Sequence, residues 1–290
     1  MQFKGTGVAL VTPFTKEGSV DEKALRKLVD HQIENGTDFL VVQGTTGETA
    51  TLTTDEKKRV LDIVIEQNNG KLPIVLGIAD NNTAALVEEI KAFENDGVDG
   101  FLSASPHYNK PSQRGIIAHF EAIAKVAKKP IILYNVPGRT ASNMTAETTL
   151  TLAKIKNIVG VKEASGNLVQ VMQILKNAPK DFAVLSGEDA LTMPIVAMGG
   201  HGVISVVANA LPKQFSNMIN ATINGDLAKA RKEHFSILDI TSSFFAEGNP
   251  SGIKFCLELI GIGTDMVRLP LTTISDELKS KMTKQLKLID

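Results

Sequence analysis

Residues 158–162 read Ile158-Val159-Gly160-Val161-Lys162, an apolar run that ends on a lysine. A short, unbroken run rich in β-branched residues predicts a strand buried on both faces, as in a parallel sheet covered by helices. The pattern repeats in both directions. Runs at 8–14, 39–43, 73–79, 100–104, 130–134, 182–186 and 202–206 predict seven more strands. Longer amphipathic segments separate them, at 21–35, 54–68, 82–96, 113–127, 145–155, 167–177 and 190–198. In the first of these, Leu25, Leu28, Val29 and Ile33 share one helical face. Thr54 is read as the cap of the second, with Asp55 and Glu56 suited to its first turn.

Strict alternation of strand and helix argues an α/β fold. Eight strands point to a (β/α)8 TIM barrel, although counting alone leaves an open doubly wound sheet standing. No Gly-x-Gly-x-x-Gly follows the first strand, which argues against a dinucleotide site. After about residue 211 the strand signal ends, and 212–224, 226–245, 250–259 and 275–288 read as helices. The expected organisation is a catalytic barrel over residues 1–224 with a C-terminal helical region, 225–290, packed on it.

Composition narrows the function. The chain has 290 residues, 43% hydrophobic and 22% charged, with a formal net charge of −1. It has no basic stripe, so nucleic acid and anionic membranes are poor partners. The single cysteine, Cys256, excludes an internal disulfide and sits in an apolar helical stretch, where a buried structural thiol is the ordinary reading. No apolar run approaches the roughly 20 residues that span a bilayer, and no leader is evident, so a cytoplasmic location is expected.

In a parallel barrel the reacting groups lie where strands end. Lys162 ends such a strand. Burial disfavours an ammonium and favours the free amine, which attacks a ketone to give a carbinolamine and then an iminium. The competing reading is a lysine snorkelling to the rim. The two tyrosines, Tyr108 and Tyr134, fall just past strand four and at the end of strand five, where a phenol can relay protons. Gly44-Thr45-Thr46-Gly47-Glu48-Thr49 follows strand two and offers hydroxyl and amide donors. Arg139, after strand five, suits a carboxylate. Gly187-Glu188-Asp189 follows strand seven; helix capping by Asp189 is favoured there over a metal site. His201 lies at the wrong end of strand eight for chemistry. His31, His119 and His234 lie on helices, and no histidine cluster has metal-ligand spacing.

Five segments in chain order resemble a known family: Gly44-Thr45-Thr46-Gly47-Glu48, Ser105-Pro106-His107-Tyr108-Asn109-Lys110-Pro111, Tyr134-Asn135-Val136-Pro137-Gly138-Arg139-Thr140, Val161-Lys162-Glu163-Ala164-Ser165-Gly166 and Gly200-His201-Gly202-Val203-Ile204-Ser205. Over essentially the whole chain the sequence resembles the dihydrodipicolinate synthases, within the pyruvate-dependent class I aldolase and N-acetylneuraminate lyase superfamily. The resemblance implies that Lys162 forms a Schiff base with pyruvate and that Tyr134 relays protons. It implies that Thr45 links Tyr134 to Tyr108 of a neighbouring subunit. Thr46 and the backbone around Gly187 and Ile204 would hold pyruvate, and Arg139 would receive the carboxylate of L-aspartate 4-semialdehyde. It further implies a homotetramer, a dimer of dimers, with no metal and no cofactor beyond the imine.

Members of that family inhibited by lysine carry histidines, a glutamate and a second aromatic where this chain has Thr54, Lys57, Ala85 and His107, while Asn81 is retained. Weak or absent inhibition by lysine is therefore expected. Two rival readings remain: another aldolase of the superfamily, such as an N-acetylneuraminate lyase, and a non-catalytic ligand-binding barrel. Thr46 and Arg139 argue against the first, because sialate lyases usually carry serine at the one place and lack the other. Retention of Lys162 and both tyrosines argues against the second.

Overall fold

The structure, a computed structural model, describes residues 3–289. Met1, Gln2 and Asp290, the ends of the two expected regions, lie outside the described residues. Eight parallel strands close into a barrel in sequence order: β1 (Gly5–Ala9), β2 (Phe39–Val42), β3 (Ile74–Gly77), β4 (Gly100–Ala104), β5 (Ile131–Asn135), β6 (Ile158–Glu163), β7 (Ala183–Ser186) and β8 (Gly202–Ser205). The helices among the described residues are α1 (Glu22–Glu34), α2 (Thr54–Asn68), α3 (Thr83–Ala92), α4 (Gln113–Val126), α5 (Pro137–Thr140), α6 (Ala146–Leu152), α7 (Leu168–Asn177), α8 (Thr192–Ala197), α9 (Pro212–Ile223), α10 (Leu227–Phe245), α11 (Ser251–Leu259) and α12 (Asp276–Leu286).

Alternation along each strand divides the core in two, because successive side chains leave opposite faces. In β2, Phe39 and Val41 pack inside the barrel, while Leu40 and Val42 pack under the helices. In β5, Ile132 and Tyr134 point inward and Ile131 and Leu133 outward. Closure brings β1 against β8, pairing Gly5 with Gly202. Gly202 has φ +147°, and a Cβ there would lie 2.0 Å from the Gly5 carbonyl oxygen, so the seam requires glycine.

β6 departs from simple alternation. Ile131 pairs with Ile158, but Ile132 pairs with Gly160, so Val159 is an extra residue in the ladder. Ile158 and Val161 consequently both face the helices, three residues apart. The phase change turns Lys162 inward, paired with Tyr134.

Four local expectations are corrected. The first strand is Gly5–Ala9, not 8–14: the Asn209 side chain accepts from the Val11 N–H and donates to the Ala9 carbonyl, so the chain leaves the ladder there, and Leu10, Val11 and Phe14 pack in the outer core. The cap of α2 is Thr53, not Thr54; its hydroxyl accepts from the Glu56 N–H while Glu56 accepts from the Thr53 N–H, a complete capping box. The third helix stops at Ala92 rather than 96, because Phe93 turns to extended backbone and packs edge-on against Phe101 of β4, ring centroids 5.3 Å apart. The short helix α5 was not anticipated; Pro137 at its start presets the helical φ.

Beyond the barrel, α10 packs along α9, and α11 and α12 pack on α10. A half-buried ion pair ties this region back. Arg268 donates to Glu56 Oε1 and Oε2 at 2.5 and 2.8 Å, and to the Gly18 and Thr51 carbonyls. The Arg268 guanidinium holds the Glu56 carboxyl down, from 4.5 to about 2. A carboxylate depressed in the folded state contributes stability that is complete above about pH 4.5 and is lost as pH falls toward 2. Chemical denaturation across this window is expected to show a steeper loss of stability for the parent protein than for Arg268→Met. Identical slopes for the two proteins would remove the pair from the acid response.

Candidate active site

The carboxyl ends of the strands place the expected residues at one rim. Lys162 is 5% exposed, and its Nζ lies 4.5 Å from the centroid of the Tyr134 ring. Tyr134 is itself buried, among Ile132, Ala164, Leu185 and Ile204 of the barrel interior. An amine held over an aromatic face in an apolar barrel has few competing partners, and no ion pair to Lys162 occurs among the described residues.

Gly187, after β7, covers one side of the lysine stem. A Cβ there would lie 3.1 Å from Lys162 Cγ and 2.6 Å from Ala164 Cβ. Its N–H donates to the Glu163 carbonyl at 2.7 Å, which fixes this approach. Ile204 is buried on β8 in the barrel interior.

Thr45 and Thr46 form a tight 3₁₀ turn, Thr45–Gly47, closed by Glu48 in the left-handed region at φ 52°. Thr45 is exposed and lines a cavity of about 360 Å³ together with Tyr134. Thr46 is 3% exposed, and its hydroxyl accepts from Asn249 Nδ2 at 3.0 Å. Arg139 stands exposed on α5 at the same rim. Tyr108 stands away from the barrel interior: it is 87% exposed on the loop after β4.

The backbone that carries Lys162 is anchored by Glu163. Its carboxylate, 1% exposed, accepts from Asn135 Nδ2, Gln170 Nε2 and the Ser165 N–H, at 2.9, 2.9 and 2.7 Å. Asn143 joins the network through Asn135 and Gln170. This support was not legible as such, although a glutamate closing a buried strand is a signal that it needs donors.

The Asp189 expectation is corrected. It does not cap the following helix; its carboxylate, fully buried, accepts from Ser205 Oγ and from the Val206 N–H. It thereby ties the β7 loop to the end of β8, a long-range demand that a local capping rule does not see. Burial raises its carboxyl, and the bonds from Ser205 and Val206 oppose that shift. The neighbouring Glu188 is also raised by burial and by Asp189, against the pull of Lys162 and Arg139. Among the described residues no group of three or more His, Cys, Asp or Glu side chains is placed to hold a metal. Cys256 is buried, and burial pushes its thiol up to about 12, which leaves it protonated and inert. His201 lies at the opposite end of β8, where its Nδ1 accepts from the Val184 N–H.

The residue that sequence reasoning missed is Lys254. It lies in the apolar run Ile253-Lys254-Phe255-Cys256-Leu257, is 1% exposed, and reaches Glu48 Oε1 at 2.5 Å. A lysine flanked by core residues on a helix was the available signal.

Gly187→Ala is expected to slow borohydride trapping of a 2-oxo acid on Lys162 by about tenfold or more without unfolding the barrel, because the added methyl crowds the lysine stem. Trapping at the parent rate would show that the close approach does not matter.

Comparison with known proteins agrees with the fold. A model of the dihydrodipicolinate synthetase family matches residues 2–289. The 4-hydroxy-tetrahydrodipicolinate synthase of Phocaeicola vulgatus is 51% identical over 271 residues, which span 93% of this chain and 91% of that protein. The crystal structure of dihydrodipicolinate synthase from Aquifex aeolicus superposes with a TM-score of 0.94 at 39% identity, over 98% of this chain and 97% of that one. The enzyme from Acinetobacter baumannii, solved in complex with pyruvate, gives a TM-score of 0.95 at 37% identity, over 99% of this chain and 98% of that one. With the family matched across nearly its full length and relatives this similar, the chain belongs to the dihydrodipicolinate synthetase family.

Proposed function

We propose that the protein condenses pyruvate with L-aspartate 4-semialdehyde through an imine on Lys162, the activity of a 4-hydroxy-tetrahydrodipicolinate synthase in lysine and diaminopimelate biosynthesis. The observation that carries the mechanism is the placement of Lys162: buried, inside the barrel, with its amine over Tyr134. Relatives that bear this enzyme's name support the substrate pair, and the pyruvate complex of a similar protein supports the first substrate.

The chemistry runs as follows in this reading. The Lys162 amine adds to the pyruvate ketone, and the carbinolamine loses water to give an iminium. A proton leaves the methyl group and the enamine forms. Tyr134 and Thr45, which line one cavity, move protons in these steps. Thr46 and the backbone near Gly187 and Ile204 hold the pyruvyl group. The enamine carbon attacks the aldehyde, whose carboxylate is received by Arg139. The substrate's own amine then displaces Lys162 by transimination, and the ring closes. No step calls for a metal or a cofactor. Tyr108, exposed on this chain, completes the relay in a neighbouring subunit of a homotetramer. Among the described residues no helix is long and apolar enough to cross a membrane.

The cavity that reaches Tyr134 also contains Lys57, Asp80, Glu89 and His107. The Glu89 carboxyl is raised by burial, and Lys57 opposes that shift as a resident cation. Asn81 is engaged with His107: its Oδ1 accepts from the His107 N–H at 2.9 Å. Lys57 already faces Glu89 as a counter-charge, so a free lysine would compete with a resident cation there, and inhibition by lysine is weak or absent in this reading.

Borohydride with pyruvate is expected to add mass at Lys162, and its failure would reject the imine enzyme. Arg139→Ala is expected to lose aldehyde-dependent turnover by more than about tenfold while imine trapping is nearly unchanged. Cleavage of N-acetylneuraminate at a comparable rate would favour the rival aldolase. Lysine is expected to leave the steady-state rate unchanged at micromolar concentration; clear inhibition there would overturn the reading of Lys57.

A further inference from the structure

Residues 249–268, outside the barrel, grip the segment 46–56 that carries the two threonines. Asn249 Nδ2 donates to Thr46 Oγ1 at 3.0 Å. Lys254 Nζ donates to Glu48 Oε1 at 2.5 Å, and the Arg268 N–H donates to Glu48 Oε2 at 2.9 Å. The Arg268 guanidinium holds the Thr51 carbonyl at 2.8 Å. Lys254 also donates to the Met266 carbonyl at 2.9 Å and stands 4.0 Å from the centroid of the Phe14 ring.

Two features make this more than a staple. The Lys254 and Glu48 side chains are each 1% exposed, and a buried ion pair is a poor stabiliser: apolar residues of similar volume usually serve as well. What apolar residues cannot reproduce is direction. Glu48 needs direction, because it closes the Thr45–Gly47 turn in the left-handed region, which non-glycine residues seldom occupy. Both of its carboxylate oxygens are held, so the turn has one position. Burial lowers the Lys254 ammonium to about 8 despite the opposing pull of Glu48.

We infer that the Glu48–Lys254 pair, together with Asn249, positions Thr45 and Thr46 for the reaction, so that the C-terminal helical region sets the geometry of the catalytic rim. Glu48, Lys254 and Asn249 are positioning residues that act through the threonine turn. The inference rests on the reading of Lys162 as the imine-forming residue, and trapping of pyruvate on the parent protein is its control.

The test is the Glu48→Leu/Lys254→Met double variant, with its melting temperature and its rapid-quench rate of pyruvate imine formation measured together. The expected result is a protein still folded at the assay temperature, with melting lowered only by the freed Arg268 N–H and Met266 carbonyl, imine formation slowed by about tenfold or more and KM for pyruvate raised. A folded variant that forms the imine at the parent rate overturns the proposal. Slowing that only tracks a lowered melting temperature also overturns it, because the pair is then a staple. If the double variant does not fold, Asn249→Ala decides: it loses only the bond to Thr46, so slowed imine formation supports positioning and an unchanged rate overturns it. Absence of any trapped pyruvate on the parent protein overturns the functional reading and this inference with it.

Discussion

Val159 is one residue more than the ladder between β5 and β6 requires, and the orientation of Lys162 depends on it. Strict alternation from Ile158 would send Lys162 to the same face as Ile158, under the helices. The extra residue reverses the phase between Ile158 and Val161, so Lys162 enters the barrel and Glu163 takes the helix side. A one-residue irregularity thus separates an amine that meets Tyr134 from one that would have met apolar helix packing. It also puts the Glu163 carboxylate where Asn135 and Gln170 can satisfy it.

Three buried carboxylates hold the rim, each by a different logic. Glu163 fixes the strand end that carries Lys162, through amide donors from β5 and α7. Asp189 joins the β7 loop to β8 through Ser205 and Val206. Glu48 closes the threonine turn against a lysine from α11. Each would be costly alone in an apolar interior, and each is satisfied at least in part by a donor from another element. The anchors of the rim come from several layers. The helical region after the barrel is one of those layers rather than an appendage.

Much of the architecture was legible because it depends on local pattern. Short apolar runs gave all eight strands, and amphipathic segments gave the main helices, with ends displaced by a few residues. The displacements have physical causes. Asn209 takes the backbone groups at Ala9 and Val11 and ends the first strand early, Phe93 leaves its helix to pack on Phe101, and Thr53 rather than Thr54 finds the Glu56 partner that completes a cap. Asp189 misled because a capping residue and a long-range acceptor look identical in one dimension. Lys254 was passed over because a lysine on a helix is ordinarily solvated, and only its partner Glu48, 206 positions away, makes it otherwise.

By itself the sequence determined the class of fold, the identity of the rim residues and the family, since strand composition, strand-end placement and ordered motifs are all written along the chain. Tertiary structure alone decided which way Lys162 points, which buried carboxylates have partners, and that residues 249–268 brace the threonine turn. The reason is the range of the forces involved. Alternation and capping act over a few residues, whereas ladder register and the pairing of buried charge are fixed only when distant segments meet.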